Sequence, residues 1–160
     1  MATVKAWCRV DLAGGTLDIW PLGLFHSQAR TVNVAVGLAV TVELQPRTAG
    51  YRVRQGERVV EAGSAGELAR RPDAALIGVA AAALDLPPFD VVLASESPRG
   101  GGLGGSSAMT VAFLAAAEAA FDRPRLSPRE QVALARASQR QIHELQAQHV
   151  LIRDRLSEDK

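Results

Sequence analysis

Apolar and polar positions alternate over residues 4–10, with Cys8 on the apolar side, until Gly14-Gly15 ends the run ahead of Asp18 and Pro21. A period of two predicts a short strand that enters a loop. Residues 31–45 are nearly continuous in Val, Ala, Thr and Leu, which predicts one long strand, or two separated near Gly37, stopped by Pro46. Residues 51–54 and 58–61 flank Gln55-Gly56-Glu57, whose length and glycine suit a hairpin turn with one side facing solvent.

Small apolar residues then fill positions 73–86, with Pro72 before them and Pro87-Pro88 after, the punctuation of a buried helix. A strand over 89–94 follows. Next come a glycine-rich loop and a helix over about 106–121, with Val111, Leu114 and Ala115 expected on one face. Ser127-Pro128-Arg129-Glu130 has serine at N-cap, proline at N1 and glutamate at N3, so it opens a further helix. Strands come first and helices follow with one strand between them, an α+β order rather than repeated βα units.

Composition bounds this picture. With 160 residues, 48% of them hydrophobic, the chain can bury one ordinary core. Eighteen basic and 17 acidic side chains leave a net charge of +1, so no global field steers the protein to nucleic acid or an anionic membrane. Any anion it binds must be held locally. Aromatic residues make up only 4%, too few for a stacking platform for single strands. Cys8 is the single cysteine, which points to a reducing compartment and a core position. Residues 1–9 lack the order of a secretory signal, and no apolar run approaches the ~20 residues of a membrane helix. The expectation is a cytoplasmic protein.

The local anion site is legible in Pro98-Arg99-Gly100-Gly101-Gly102-Leu103-Gly104-Gly105-Ser106-Ser107-Ala108. A strand that feeds a glycine turn and then a helix gathers backbone N–H groups where the helix dipole is positive, and this binds phosphate. Glycine leaves no Cβ to hold a polyphosphate away from the backbone. Ser106 and Ser107 add hydroxyls suited to a phosphate oxygen or Mg²⁺. The Walker pattern fails here, because Gly105 is followed by Ser106 rather than lysine. The dinucleotide pattern matches Gly100, Gly102 and Gly105, but Asp122-Arg123-Pro124 leads to another helix, where a strand ending in an acid is needed.

The loop fits Pro-x-Gly-x-Gly-Leu-Gly-x-Ser-Ser-Ala without a gap, and in this it resembles the second motif of the GHMP kinases, the family of galactokinase, homoserine kinase, mevalonate kinase and phosphomevalonate kinase. Arg9-Val10-Asp11-Leu12-Ala13-Gly14-Gly15-Thr16-Leu17-Asp18 resembles the family's N-terminal motif, in the Arg-x-x-x-x-Gly-Gly-x-x-Asp form of its sugar kinases. The resemblance implies an α+β N-terminal domain over 1–137, a two-layer, ribosomal-protein-like sheet with helices. It also implies ATP and Mg²⁺ as cofactors. Pro98, Gly100, Gly101, Gly102, Leu103, Gly104, Gly105, Ser106 and Ser107 would then wrap the ATP phosphates, with Ser106 near the metal. Arg9 would stand near the transferred phosphoryl group as a catalytic residue, and Asp18 would bind hydroxyls of a sugar or polyol. Asp11, where several relatives carry asparagine, is read as structural. Outside the motifs, His26 has no partner at metal-ligand spacing, and Trp7 and Trp20 are candidates to pack near the first motif.

The family pattern continues into a Gly-x-Gln-Asp segment with a catalytic acid and into a second domain, and neither is found in this sequence. Residues 138–160 read instead as an atypical helical tail. From Ala135 onward, Ala135, Ile142, Leu145, His149, Ile152 and Leu156 recur at three- and four-residue steps with Ser138 filling the missing position, consistent with an amphipathic helix on the domain surface or a short oligomerising seam. Two function classes follow: an ATP-dependent sugar or polyol kinase to which this chain gives the phosphate loop and part of the substrate site, or a catalytically silent nucleotide-binding or scaffolding chain. A homo-oligomer formed through an exposed C-terminal side is the expected partnership.

Overall fold

The computed structural model describes residues 1–15, 30–98, 100–127, 129–131, 133–135 and 137–138. Asp18, Trp20, His26, Arg99, Pro128 and the tail positions from 139 onward lie outside the described residues, as does the candidate seam beyond Ala135. The described residues form an α+β fold with strands β1 (Ala2–Ala13), β2 (Val32–Pro46), β3 (Tyr51–Gln55), β4 (Arg58–Ala62) and β5 (Phe89–Ser95). The helices are α1 (Ala65–Ala69), α2 (Ala75–Ala83) and α3 (Gly105–Ala120). Residues 129–138 are helical wherever they are described.

The five strands make one sheet in the order β1-β2-β5-β3-β4, antiparallel except for the β3–β5 pair. Alternation sorts the side chains onto two faces. Cys8, Val40, Val42, Leu44, Val53, Phe89 and Val91 join one core with Ile77, Ala80, Phe113, Leu114 and Ala117 from α2 and α3. Phe89 is its aromatic centre, with Tyr51 edge-on at 5.2 Å and Phe113 tilted at 5.6 Å. Burial of the Tyr51 ring costs no hydrogen bond, since its hydroxyl donates to Leu86 O at 2.8 Å. The opposite face is polar at its middle. There Asp90, nearly buried, accepts from Arg54 Nε at 3.1 Å and Arg52 Nη1 at 3.4 Å, and Arg52 Nε also donates to Glu61 at 2.6 Å.

Several expected boundaries shift. β1 is longer than residues 4–10, because its pairing with β2 continues past the alternating run to Ala13. The 31–45 region is one strand with a register break: Trp7 pairs with Ala39 but Arg9 with Ala35, so extra β2 residues around Gly37 loop out. The helix expected over 73–86 is only Ala75–Ala83, closed by Leu84 and by Asp85 at φ 47°. Arg123 donates to Leu84 O and Asp85 O and so satisfies two carbonyls at that end. On α3 the deeply buried set is Thr110, Ala112, Phe113, Leu114, Ala116 and Ala117, while Val111 and Ala115 are only half-buried. The phase therefore differs from the expected face, because α3 packs against both β1 and β2 and buries more than one stripe. Trp7 is 56% exposed under the Lys5 ammonium, 4.8 Å from the ring centroid, not packed into the first motif.

Candidate active site

The glycine loop is built by the end of β5 and the start of α3. β5 ends at Ser95, and the chain is tied down at once: Glu96 N–H donates to Ala39 O at 2.9 Å, and Glu96 Oε2 accepts the Ala39 N–H at 2.8 Å. Gly101 N–H then turns back onto Pro98 O at 3.2 Å. Leu103 O accepts the Arg9 N–H at 3.0 Å, so the free edge of β1 holds the loop. These bonds bring the two sequence motifs, almost 90 positions apart, into contact.

The glycines in the loop serve different ends. Gly100, Gly102 and Gly104 have φ of 74°, 69° and 66°, a region that L side chains rarely enter. A Cβ on Gly101 would stand 3.0 Å from Pro98 Cγ, and one on Gly105 would stand 3.2 Å from Ser97 Oγ, so close packing accounts for these two. Among the described residues, a Cβ on Gly100 or Gly102 would meet no atom within 4 Å. These two therefore face open space, the condition for a ligand to approach the backbone.

α3 begins directly after Gly104, its N-cap residue, which offers no side chain to bond the first turn, and no acidic residue lies in that turn. A 16-residue helix thus points its positive end at the glycine turn. Ser106 is exposed and Ser107 half-buried at this start, and Ser106 O accepts the Thr110 hydroxyl at 2.9 Å.

Arg9 stands beside it. Its Cγ and Nη1 lie 3.6 and 3.8 Å from the point where a Cβ on Gly104 would sit. Its Nε donates to Asp11 Oδ1 at 2.9 Å, and both side chains remain partly exposed. Gly14, at φ 75°, turns the chain where a Cβ would overlap Arg30 O, and a Cβ on Gly15 would stand 2.7 Å from Asp11 Oδ2. The structure thus gathers Pro98, Gly100 to Ser107 and Arg9 at one end of the sheet. Sequence reasoning set Asp11 aside as structural, although its place two residues after Arg9 on a strand puts both on one face.

Among the described residues no three His, Cys, Asp or Glu side chains cluster as a metal site. The donors present fit a metal carried by phosphates, with a serine hydroxyl as a protein ligand, rather than an all-protein cage. Among those residues no helix is long and apolar enough to cross a membrane.

Comparison with known proteins agrees with this geometry. The family described as GHMP kinases N terminal domain matches residues 70–150, a span that holds the whole glycine loop but not Arg9. A D-glycero-D-manno-heptose 1-phosphate kinase from Bacteriodes thetaiotaomicron shares the fold with a TM-score of 0.71 at 22% identity, over 88% of this chain and 48% of that one. A Streptococcus pneumoniae phosphomevalonate kinase, in complex with phosphomevalonate and AMPPNP, gives a TM-score of 0.67 at 20% identity, over 86% of this chain and 42% of that one. Lactococcus lactis galactokinase, complexed with galactose, gives 0.70 at 13% identity, over 88% of this chain and 38% of that one. The chain therefore spans less than half the length of these similar structures. No curated protein matches it in sequence.

Proposed function

This chain belongs to the GHMP kinases, through their N-terminal domain, and on that premise we propose that it supplies the nucleotide-phosphate half of an ATP-dependent kinase acting on a sugar or polyol hydroxyl. The observation that supports the reading is the pair Gly100 and Gly102, at positive φ with no neighbour at their Cβ positions among the described residues, just before the start of α3, whose N-cap glycine makes no side-chain cap. Packing alone asks for glycine at Gly101 and Gly105; at Gly100 and Gly102 the backbone is left bare.

In this reading the backbone of Gly100, Gly101, Gly102, Leu103, Gly104 and Gly105 cradles the phosphates, and Pro98 sets the entry to the turn. Ser106, with Ser107 beside it, lends a hydroxyl to the phosphate-bound Mg²⁺. Bound Mg-ATP supplies the phosphoryl group and a divalent charge that offsets its negative oxygens. Arg9, over Gly104, provides guanidinium donors that stabilise charge growing on those oxygens. Asp18 accepts hydrogen bonds from hydroxyls of the acceptor. In this reading the nucleotide-binding domain covers 1–137. That a galactokinase complexed with galactose and a heptose 1-phosphate kinase are among the similar structures supports a sugar acceptor.

The test is calorimetric titration of the chain with Mg-ATP, followed by ADP release over a panel of sugars, sugar phosphates and polyols. Saturable binding in the micromolar to millimolar range is expected (~1 μM–1 mM, as for ordinary enzyme substrates). No binding would overturn the phosphate reading. Binding without turnover on any acceptor would assign the chain to the silent nucleotide-binding class.

A further inference from the structure

Asp11 links the turn of the first motif to the glycine loop through one arginine. Its Oδ1 accepts the Arg9 Nε–H at 2.9 Å. Its Oδ2, Cβ and Cγ all lie within 3.0 Å of the Cβ position of Gly15, so that glycine lets the backbone press against the carboxyl group and fix where it stands. On the other side, the Arg9 side chain runs past Gly104, with Nη1 3.8 Å from that residue's Cβ position. The backbone repeats the link, Arg9 N–H to Leu103 O.

A carboxylate on Nε engages the donor nearest the stem of an arginine and leaves donors on the terminal nitrogens for another partner. An arginine side chain has many rotamers, so a guanidinium held in place before a phosphate arrives loses less freedom on binding. The pair is partly exposed, and such pairs add little to folding. Its consequence therefore lies in direction rather than stability.

We propose that Asp11 is a positioning residue: wedged against Gly15, its carboxylate holds the Arg9 guanidinium over Gly104 so that Arg9 meets the nucleotide phosphates already oriented. This rests on the phosphate reading of the loop. The sign of the effect separates it from plain electrostatics. A negative charge near phosphates weakens their binding, so Asp11→Asn or Asp11→Ala would strengthen nucleotide affinity if Asp11 were only a nearby charge. Positioning requires the opposite.

The experiment titrates the whole chain with Mg-ATP for wild type, Asp11→Asn, Asp11→Ala, Arg9→Ala and the double variant Arg9→Ala/Asp11→Ala. Asp11→Ala should weaken binding about tenfold and Asp11→Asn, which keeps an acceptor, about threefold. With Arg9 gone, Asp11→Ala should weaken it no further. Affinity equal to or tighter than wild type, or losses that add across the pair, would overturn the proposal. A second arm, with no nucleotide present, follows the Arg9 Nε–H resonance by nitrogen-15 NMR. It should exchange slowly with solvent in wild type and quickly in Asp11→Ala, and equal exchange in the two would also overturn the proposal. If the wild type binds no Mg-ATP, the phosphate reading falls and the positioning role falls with it; the resonance then reports only whether Asp11 holds Arg9.

Discussion

Two helix starts in this molecule are built on opposite plans. At α1, Ser64 Oγ accepts the Glu67 N–H at 3.1 Å and Glu67 Oε2 accepts the Gly63 N–H at 2.9 Å, a capping arrangement in which the glutamate reaches the residue before the N-cap. The helix beginning near 129 has the reciprocal capping box itself, with Glu130 Oε2 accepting from Ser127 N–H at 2.7 Å and Ser127 Oγ from Glu130 N–H at 3.4 Å. α3 is the longest of the three named helices, yet its N-cap is a left-handed glycine with no side chain to give. α2 also starts without a side-chain cap, at Ala74, so length does not decide the plan. What sets α3 apart is that its start adjoins the glycine loop, with Arg9 alongside.

Glycines draw the same contrast. A Cβ on Gly78 of α2 would stand 2.6 Å from Ala69 Cα and from Leu68 C, so glycine there lets α2 pass against α1. Gly102 has no such neighbour among the described residues. The largest expected effect follows from this: Gly78→Val should cost 3 kcal/mol or more, with a correspondingly large drop in melting temperature (~3 kcal/mol being the upper range for overpacking). A melting curve within a degree or two of wild type would show that α1 and α2 can separate freely.

Gly102→Val should divide stability from binding. Holding a β-branched residue at positive φ costs about 1–2 kcal/mol, whereas nucleotide affinity should fall about a hundredfold or more, ~2.7 kcal/mol, as the side chain fills the cradle. Titration and melting of the same sample check both parts. Unchanged affinity would count against the cradle, and unfolding as severe as that of Gly78→Val would erase the contrast between the two glycines.

Ser64→Ala should remove about 1 kcal/mol of stability, the usual worth of a serine cap, and leave Mg-ATP affinity at the wild-type value. A change in affinity would mean that the two ends of the sheet are coupled. The smallest effect is in pH. Glu67 is held below the ordinary glutamate value of 4.5, first by the Gly63 N–H and then by Arg71. Glu130 is lowered likewise, by its bonds with Ser127. A lowered folded value means that each contribution is full above pH 4.5 and is lost as the pH falls through the depressed value. Glu67→Gln should therefore lower the melting temperature slightly at pH 7, with the difference from wild type vanishing as the pH falls through the depressed value, so that the variant's acid limb is flatter. An identical acid limb in the variant would remove Glu67 from the account.

The legible parts of this chain were local. Ser127 and Glu130 are three residues apart, and their capping box needs nothing beyond that segment. The hairpin was equally readable, since Gly56 at φ 60° sits in a two-residue turn closed by the Gln55–Arg58 pair. α1 was overlooked although Ser64-Ala65-Gly66-Glu67 carries the same signature as Ser127 to Glu130. It is five residues long and buries only Leu68, too little for a periodic pattern. The glycine loop was legible because five glycines within six positions, three of them at positive φ, form a local run that stands out in the sequence.

The sequence by itself determined the α+β class and the glycine loop, because each rests on the order of local patterns or on neighbours a few positions apart, whereas the roles offered for Arg9 and Asp18 rest on the family resemblance. Only the tertiary structure decided the β1-β2-β5-β3-β4 order, with β3 parallel to β5, and the meeting of Arg9, Asp11 and Gly104. That meeting depends on β1 pairing with β2 while its free edge donates the Arg9 N–H to Leu103 O. Contacts between strands and loops so far apart in the chain are selected by the burial of a common core, and no local pattern encodes which partners that core will bring together.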